Sequence, residues 1–207
     1  MNLLTTATLT WFDDGCCDVK YLDEWQHVPT NYTPAQTDTS GWHTDHHEVV
    51  IAHDEDGRLF SHAADLLMRY QFYPRHILTH VSEFGLQDRW AAVGDRIAQR
   101  IHILGLFGRP VVDVISMTEI SDVIIEPHRC GFTYITVATH VEQGEWSVSL
   151  TWRPNGDLVL TMDAVSRPVP QEPSRNYPFM RAYQKVAHQQ GIANFCQMVL
   201  ADETAVA

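Results

Sequence analysis

The chain predicts an α+β fold in which one curved antiparallel sheet wraps around a long C-terminal helix. Three observations carry this expectation. Residues 76–167 read as successive alternating or β-branched runs separated by turns. Asn155-Gly156 stands between two of these runs, the pair best suited to the positive φ of a tight hairpin. Residues 176–202 then carry apolar side chains at helical spacing, long enough to cover a sheet.

The elements follow in order. Residues 1–40 lack sustained periodicity, and VPTNYTPAQTDTSG is rich in turn residues, so an irregular N-terminal extension is expected there. The domain itself is expected over 41–203, with a tail at 204–207. In GWHTDHHEVVIAH, alternate residues would share a strand side, placing His43, Asp45, His47, Val49, Ile51 and His53 together. HDEDG ends that run. RLFSHAADLLMRYQF follows at helical spacing, with Asp54, Glu55 or Asp56 available as its N-cap and Pro74 soon after its end. DRIAQRIHIL sets Ile97, Ile101 and Ile103 against Arg96, Arg100 and His102. VVDVISMTEISDVIIEP, GFTYITVATH, EWSVSLTW and LVLTMDAVSR complete the meander, which implies one dry face and one wetter face. The last helix shows a stripe of Met180, Tyr183, Val186, Ala187, Phe195, Met198 and Val199, interrupted by Gly191, which marks a kink or a close approach to the sheet.

Composition narrows the function classes. The chain has 207 residues, 44% hydrophobic and 19% charged, enough apolar material for one domain core. Its net charge of −12 repels phosphate backbones and anionic membrane surfaces, so no nucleic-acid partner is expected. No run approaches the roughly 18 apolar residues of a membrane span. The start, MNLLTTATLTWFDDG, lacks a basic n-region, so no secretory signal is expected. Cys16, Cys17, Cys130 and Cys196 match neither a disulfide scaffold nor a C-x-x-C pair, and are expected as reduced thiols of a cytoplasmic protein. The adjacent Cys16 and Cys17 are the pair a soft metal would use. Asn31 opens an N-x-T triplet, which without a secretory signal is expected to be chance.

A curved sheet gripping one helix leaves space between them, a natural place for an apolar or amphipathic ligand. Several motifs connect this plan to a known pattern. Pro127, Arg129, Gly131, Phe132, Tyr134 and Thr136 form one strand signature; His140, Glu142, Gly144 and Glu145 form a hairpin signature; Ser166, Arg167 and Pro168 close the last strand. With DGRLFSHAADLLMRYQFYP and FMRAYQKVA, these resemble an uncharacterised domain-of-unknown-function family of the START-like (SRPBCC, helix-grip) superfamily. The resemblance spans about residues 41–203. It departs at Thr139, where that family tends to have glycine, and residues 1–40 have no counterpart in it. The resemblance implies the helix-grip fold and a pocket, and no settled activity.

Candidate site residues follow from chemistry. His43, Asp45 and His47 are donor types suited to zinc or iron. However, alternate side chains on a strand lie about 6.5–7 Å apart along it, so three donors from one strand converge poorly on an ion. Their side is expected to face water, and no metal or other cofactor is expected. His140, with Glu142 and Glu145 nearby, is the acid–base candidate: an imidazole beside carboxylates can be held protonated near neutral pH. The competing reading of HVEQGE is a solvated hairpin end with Gly144 at the turn, and it is favoured. Phe132, Tyr134, Thr136, His140, Arg167 and Tyr183 are the expected ligand-binding set, with Arg167 alternatively paired to Asp163 or Glu145. No G-x-S-x-G, H-E-x-x-H, G-x-x-x-x-G-K-[ST] or G-x-G-x-x-G motif is present. The leading expectation is a binder of a small apolar or amphipathic molecule, without catalysis. The alternatives are an enzyme of cyclase, hydrolase or isomerase type using His140, Glu142 or Glu145 and Tyr134, and a protein-interaction module without a pocket.

Overall fold

The computed structural model of the protein describes residues 8–11, 18–34, 37–106, 109–170 and 177–201. In chain order these form β1 (Thr8–Trp11), α1 (Lys20–Glu24), β2 (His43–His53), α2 (Arg58–Met68), β3 (Leu78–Ser82), α3 (Glu83–Leu86), β4 (Arg96–Leu106), β5 (Arg109–Glu126), β6 (Arg129–Thr136), β7 (Glu142–Trp152), β8 (Asp157–Pro168) and α4 (Tyr177–Ala201). The strands form one antiparallel sheet in the order β2-β8-β7-β6-β5-β4-β3, with β1 added to β5. This is a helix-grip arrangement, an α+β fold in which the sheet holds α4 against its inner face. Register breaks at Val50/Ala52, His102/Leu104 and Ile120/Asp122 supply the bulges that bend such a sheet.

The β7–β8 hairpin turns where the Asn-Gly pair predicts, but only Gly156 takes a positive φ, +87°. Its N–H donates to the Arg153 carbonyl, and the Arg153 N–H donates to the Asp157 carbonyl. These bonds make a turn followed by a glycine bulge rather than a two-residue loop with both residues left-handed.

α2 shows how local chemistry positions core aromatics. Asp54, buried, accepts the Gly57 N–H (3.0 Å) on one oxygen and the Phe60 N–H (2.7 Å) on the other, closing the first turn. At the other end, Tyr70 N–H donates to Leu67 and Gln71 N–H to Leu66, the paired bonds of a Schellman stop. Tyr70 occupies the left-handed position (φ +58°) where glycine is usual. The backbone cost is offset by the ring, which is 1% exposed, packs on Phe132 and Trp146, and accepts a hydrogen bond from Gln99 (2.8 Å).

α4 crosses the inner face. Phe195 and Val199 are fully buried in the main core, and the Tyr183 hydroxyl donates to backbone carbonyls of His102 (2.8 Å) and Ile77 (3.2 Å). Gly191 marks a close approach, as expected, but to the segment after α2: a Cβ there would meet the Phe72 ring at 2.4 Å. Val186 leaves the expected stripe: it is 43% exposed and does not line the cavity, as its neighbours Tyr183 and Ala187 do.

The described N-terminal residues, 8–11 and 18–34, carry more regular structure than the composition suggests. β1 pairs with β5, and Thr30 bridges to Val137. Tyr21 and Leu22 of α1 pack with Ala98, Ile115, Met117 and Val137 on the sheet's outer face. That face also holds Arg100, 2% exposed, whose guanidinium is shared by Asp18, Asp113 and Thr10. Among the described residues, no helix is long and apolar enough to cross a membrane. Cys16 and Cys17 lie outside the described residues.

Candidate functional site: a cavity between sheet and helix

A cavity of about 130 Å³ lies between the sheet's inner face and α4. Its apolar wall includes Ile101 and Ile103 of β4, Val114 of β5, Trp146 of β7, and Met180 and Ala187 of α4. Polar groups are few. Gln99, Tyr73 and Tyr134 form one set; Glu142, Ser166, Gln184 and His140 form another. Apolar walls with a few placed polar groups are the usual makeup of a small-molecule site.

The first set is a packed aromatic cluster. Tyr134 stacks on Trp146 (centroids 5.0 Å apart, 19° between planes), and Tyr70 meets Tyr134 edge-on (6.2 Å). Burial pushes the Tyr134 hydroxyl up to about 12, so it is neutral and offers a proton donor, not a base. The Trp146 Nε1–H has no hydrogen-bond partner among the described residues.

In the second set, β6 ends at Thr136, and His140 sits in the turn before β7 rather than on the strand. The imidazole is buried, and its Nδ1 accepts the Glu142 backbone N–H (3.0 Å). That bond puts the neutral ring's proton on Nε2. Burial pushes its pKa down to about 4, which favours the neutral ring over the protonated one that adjacent carboxylates would hold. Glu142 shifts the other way. Burial is the main cause and the Asp45 charge adds to it, while Arg181 works against them; the carboxyl is pushed up to about 7. Its Oε2 accepts from Gln184 Nε2 (3.2 Å), and the same amide reaches Ser166 Oγ (3.0 Å).

Gly144 is not the turn residue. It lies within β7, where its N–H donates to Thr136 Oγ1 (2.9 Å) and a Cβ would stand 2.0 Å from the Val165 carbonyl oxygen. The Thr136 hydroxyl in turn donates to Asn31 Oδ1 (2.5 Å), so Asn31 serves as an internal strut for the site. Glu145 faces Tyr32 and is raised chiefly by burial; Tyr32 itself is pushed up to about 12.

The expected residues therefore divide. Tyr134, Thr136, His140, Glu142, Glu145 and Tyr183 all line the cavity. Phe132 does not: it is 1% exposed inside the core, between Tyr70 and Trp146. Arg167 does not either. It is exposed, its guanidinium lies 4.4 Å over the Trp42 ring, and it bonds Gln143 rather than Asp163 or Glu145. Position 167 falls on the outward side of β8, whereas its neighbour Ser166 points in.

The histidine-rich strand also differs from expectation. The alternation holds, but His43, Asp45 and His47 are half-buried while Thr44, His46 and Glu48 are exposed. The donor row thus faces α4 rather than water, and the bulge near Ile51 turns His53 outward. The reason is charge pairing across the gap. Arg181 of α4 grips Asp45 with two bonds of 2.5 Å, and His188 Nδ1 stands 3.6 Å from the same carboxylate. Burial opposes the Asp45 charge, but His188 and Arg181 together outweigh it and hold the carboxyl well below the usual carboxylate range.

Sequence reasoning missed Gln99, Gln184 and His188, each a polar residue in an otherwise amphipathic element. The available signal was a polar side chain on the face that the apolar stripe assigns to the interior.

Several solved structures show partial similarity to the chain. A hypothetical protein of Helicobacter pylori shares 12% identity over 81% of this chain and 92% of its own, with a TM-score of 0.46. A START superfamily protein from Mycobacterium smegmatis shares 13% over 77% and 98% (TM-score 0.45). Truncated norcoclaurine synthase from Thalictrum flavum shares 12% over 77% and 94% (TM-score 0.43). No residue role is carried over from them. No curated protein matches the sequence. The profile of one family matches residues 28–194, most of the chain and nearly all of its sheet, and the chain therefore belongs to that family, the Domain of unknown function DUF1990.

Proposed function

We propose that the protein binds a small apolar or amphipathic molecule in the cavity between the sheet and α4. The observation that carries this reading is the hollow itself, walled by apolar side chains and edged by Glu142, Gln184 and Ser166. A cavity of about 130 Å³ is near the size of one that takes a single aromatic ring, so the enclosed part of the ligand is ring-sized or a short chain. Its polar end is placed against Glu142 and Gln184. A cytoplasmic setting and the absence of a nucleic-acid partner belong to the same reading, supported by the free thiols of Cys130 and Cys196 and the net charge of −12.

Native mass spectrometry of the intact chain tests the proposal. A co-purified small molecule is expected, released by harsher activation and absent from Ala187→Phe, which fills the cavity. If neither a bound molecule nor saturable uptake of an apolar fluorophore is seen, the binding reading is rejected in favour of a protein-interaction module.

One arrangement favours a second reading, an enzyme using proton transfer: the Glu142 carboxyl lines the cavity, bonds Gln184, and is pushed up to about 7 by burial. In that reading the acid–base group is Glu142, with the Tyr134 hydroxyl as donor, and His140 is a neutral positioning residue. Glu142→Gln would then abolish turnover while retaining ligand; turnover kept in that variant rejects it.

A further inference from the structure

The polar cluster at the edge of the sheet is distinct from the cavity contacts just described, although His188 touches both. Asp45 and His47 come from alternate positions of β2, and His188 comes from the facing side of α4. One donor atom from each lies within 4.8 Å of the other two. The strand alone cannot bring three donors together, and the helix supplies what His43 cannot.

His188 is the informative member. It is 5% exposed, and its Nδ1 has no hydrogen-bond partner among the described residues. That nitrogen points at Asp45 Oδ2 from 3.6 Å, too far for a hydrogen bond. Two donors bound at about 2.0–2.1 Å to one tetrahedral ion stand roughly 3.4 Å apart, close to this separation. The rings of His47 and His188 meet edge-on at 6.4 Å, an arrangement open to two imidazoles directed at one point. A buried polar nitrogen left unbonded is costly, and an ion between these groups removes that cost.

We propose that Asp45, His47 and His188 bind one divalent transition-metal ion of the zinc class. Two neutral imidazoles and a carboxylate suit borderline ions such as Zn²⁺ and disfavour Mg²⁺, which takes oxygen donors. Arg181 does not block the site. Its two bonds use one lone pair of each Asp45 oxygen, and a carboxylate has about four acceptor positions in all. The guanidinium then orients the ligating carboxylate, as outer-shell partners of metal ligands do.

The test uses the full chain purified without a histidine tag, stripped with chelator and titrated with Zn²⁺ by calorimetry, with metal content read by mass spectrometry. One ion per chain is expected, with no heat from Mg²⁺. His188→Ala and His47→Ala should each weaken Zn²⁺ at least tenfold, and His43→Ala should leave it within twofold. If His188→Ala fails to fold, His47→Ala, at a half-buried strand position, carries the same test. Fewer than about 0.2 ions per chain would overturn the proposal. So would an equal loss in His43→Ala, which would place the ion on the strand's histidines in general.

Discussion

On the outer face of the sheet, Arg100 is 2% exposed, yet its guanidinium meets two carboxylates and a hydroxyl. Asp113 divides its oxygens between Arg100 (2.9 Å) and His102 (2.8 Å). On the inner face, Glu142 has one amide hydrogen bond to its carboxyl, a neutral imidazole nearby and a cavity in front of it. Arg100 is surrounded by matched partners, and on the inner side Asp45 is matched by Arg181, but Glu142 has no such set of opposite charges in hydrogen-bond contact among the described residues. A closed network of this kind holds an element in place; here it fastens β1 and the α1 segment to β4 and β5. An incompletely matched carboxyl beside a hollow leaves hydrogen-bonding capacity for something else. The contrast separates a structural cluster from a candidate site without reference to sequence motifs.

Four substitutions probe that contrast, in decreasing order of expected size. Asp113→Ala removes one of the carboxylates that hold the buried guanidinium, and should destabilise the fold by about 3–5 kcal/mol in chemical denaturation. A loss under about 1 kcal/mol would mean that the outer cluster is not the fastening it is taken for.

Glu142→Gln should have the opposite sign. The folded carboxyl, at about 7, lies above its ordinary 4.5, so the folded state holds the proton more tightly than the unfolded chain. Its stabilising proton is fully present below pH 4.5 and is lost as pH rises through 7. The variant should therefore be more stable than the parent above pH 7, on the order of 2 kcal/mol once cavity solvent is allowed for. His140 runs the other way. With its folded value at about 4, below the ordinary 6.5, stability falls as pH drops from 6.5 towards 4. That acid limb should persist in Glu142→Gln. Denaturation midpoints across pH 4–8 check both, and a flat difference between variant and parent would contradict the buried setting of Glu142.

Ala187→Phe should reduce uptake of a small apolar fluorophore at least tenfold, about 1.4 kcal/mol of binding, with folding stability changed by about 1 kcal/mol or less. Fluorescence titration reads the first, and thermal unfolding the second. Finally, Arg167→Ala should cost about 0.5–1 kcal/mol, the value of an exposed cation over an aromatic ring, and leave fluorophore binding unchanged. A binding loss there would return Arg167 to the site.

The period-2 runs from DRIAQRIHIL to LVLTMDAVSR become β4 to β8, and the C-terminal stripe becomes α4, because each element must bury one face and its residue period reports which. The pocket residues on β6 and β7 were readable for the same reason: Tyr134 and Thr136 alternate toward the interior with Phe132, and only their depth along the sheet separates cavity from core. His140 was singled out as an imidazole held protonated by its carboxylates, whereas burial lowers its pKa and favours the neutral ring. Ionisation depends on surroundings that no local pattern encodes.

The order of strands, the sheet-and-helix plan and its inward faces follow from residue spacing, because alternation and helical periodicity are local properties of the chain. The inward turn of Asp45, the burial of Arg100, the half-buried setting of Glu142 and the meeting of His188 with β2 do not. Each depends on a partner 42 to 143 residues away, such as Gln184 for Glu142, Asp18 for Arg100 and His188 for Asp45. The free energy of a charge is set by what folding brings beside it, and that is a matter of three-dimensional neighbours rather than of sequence.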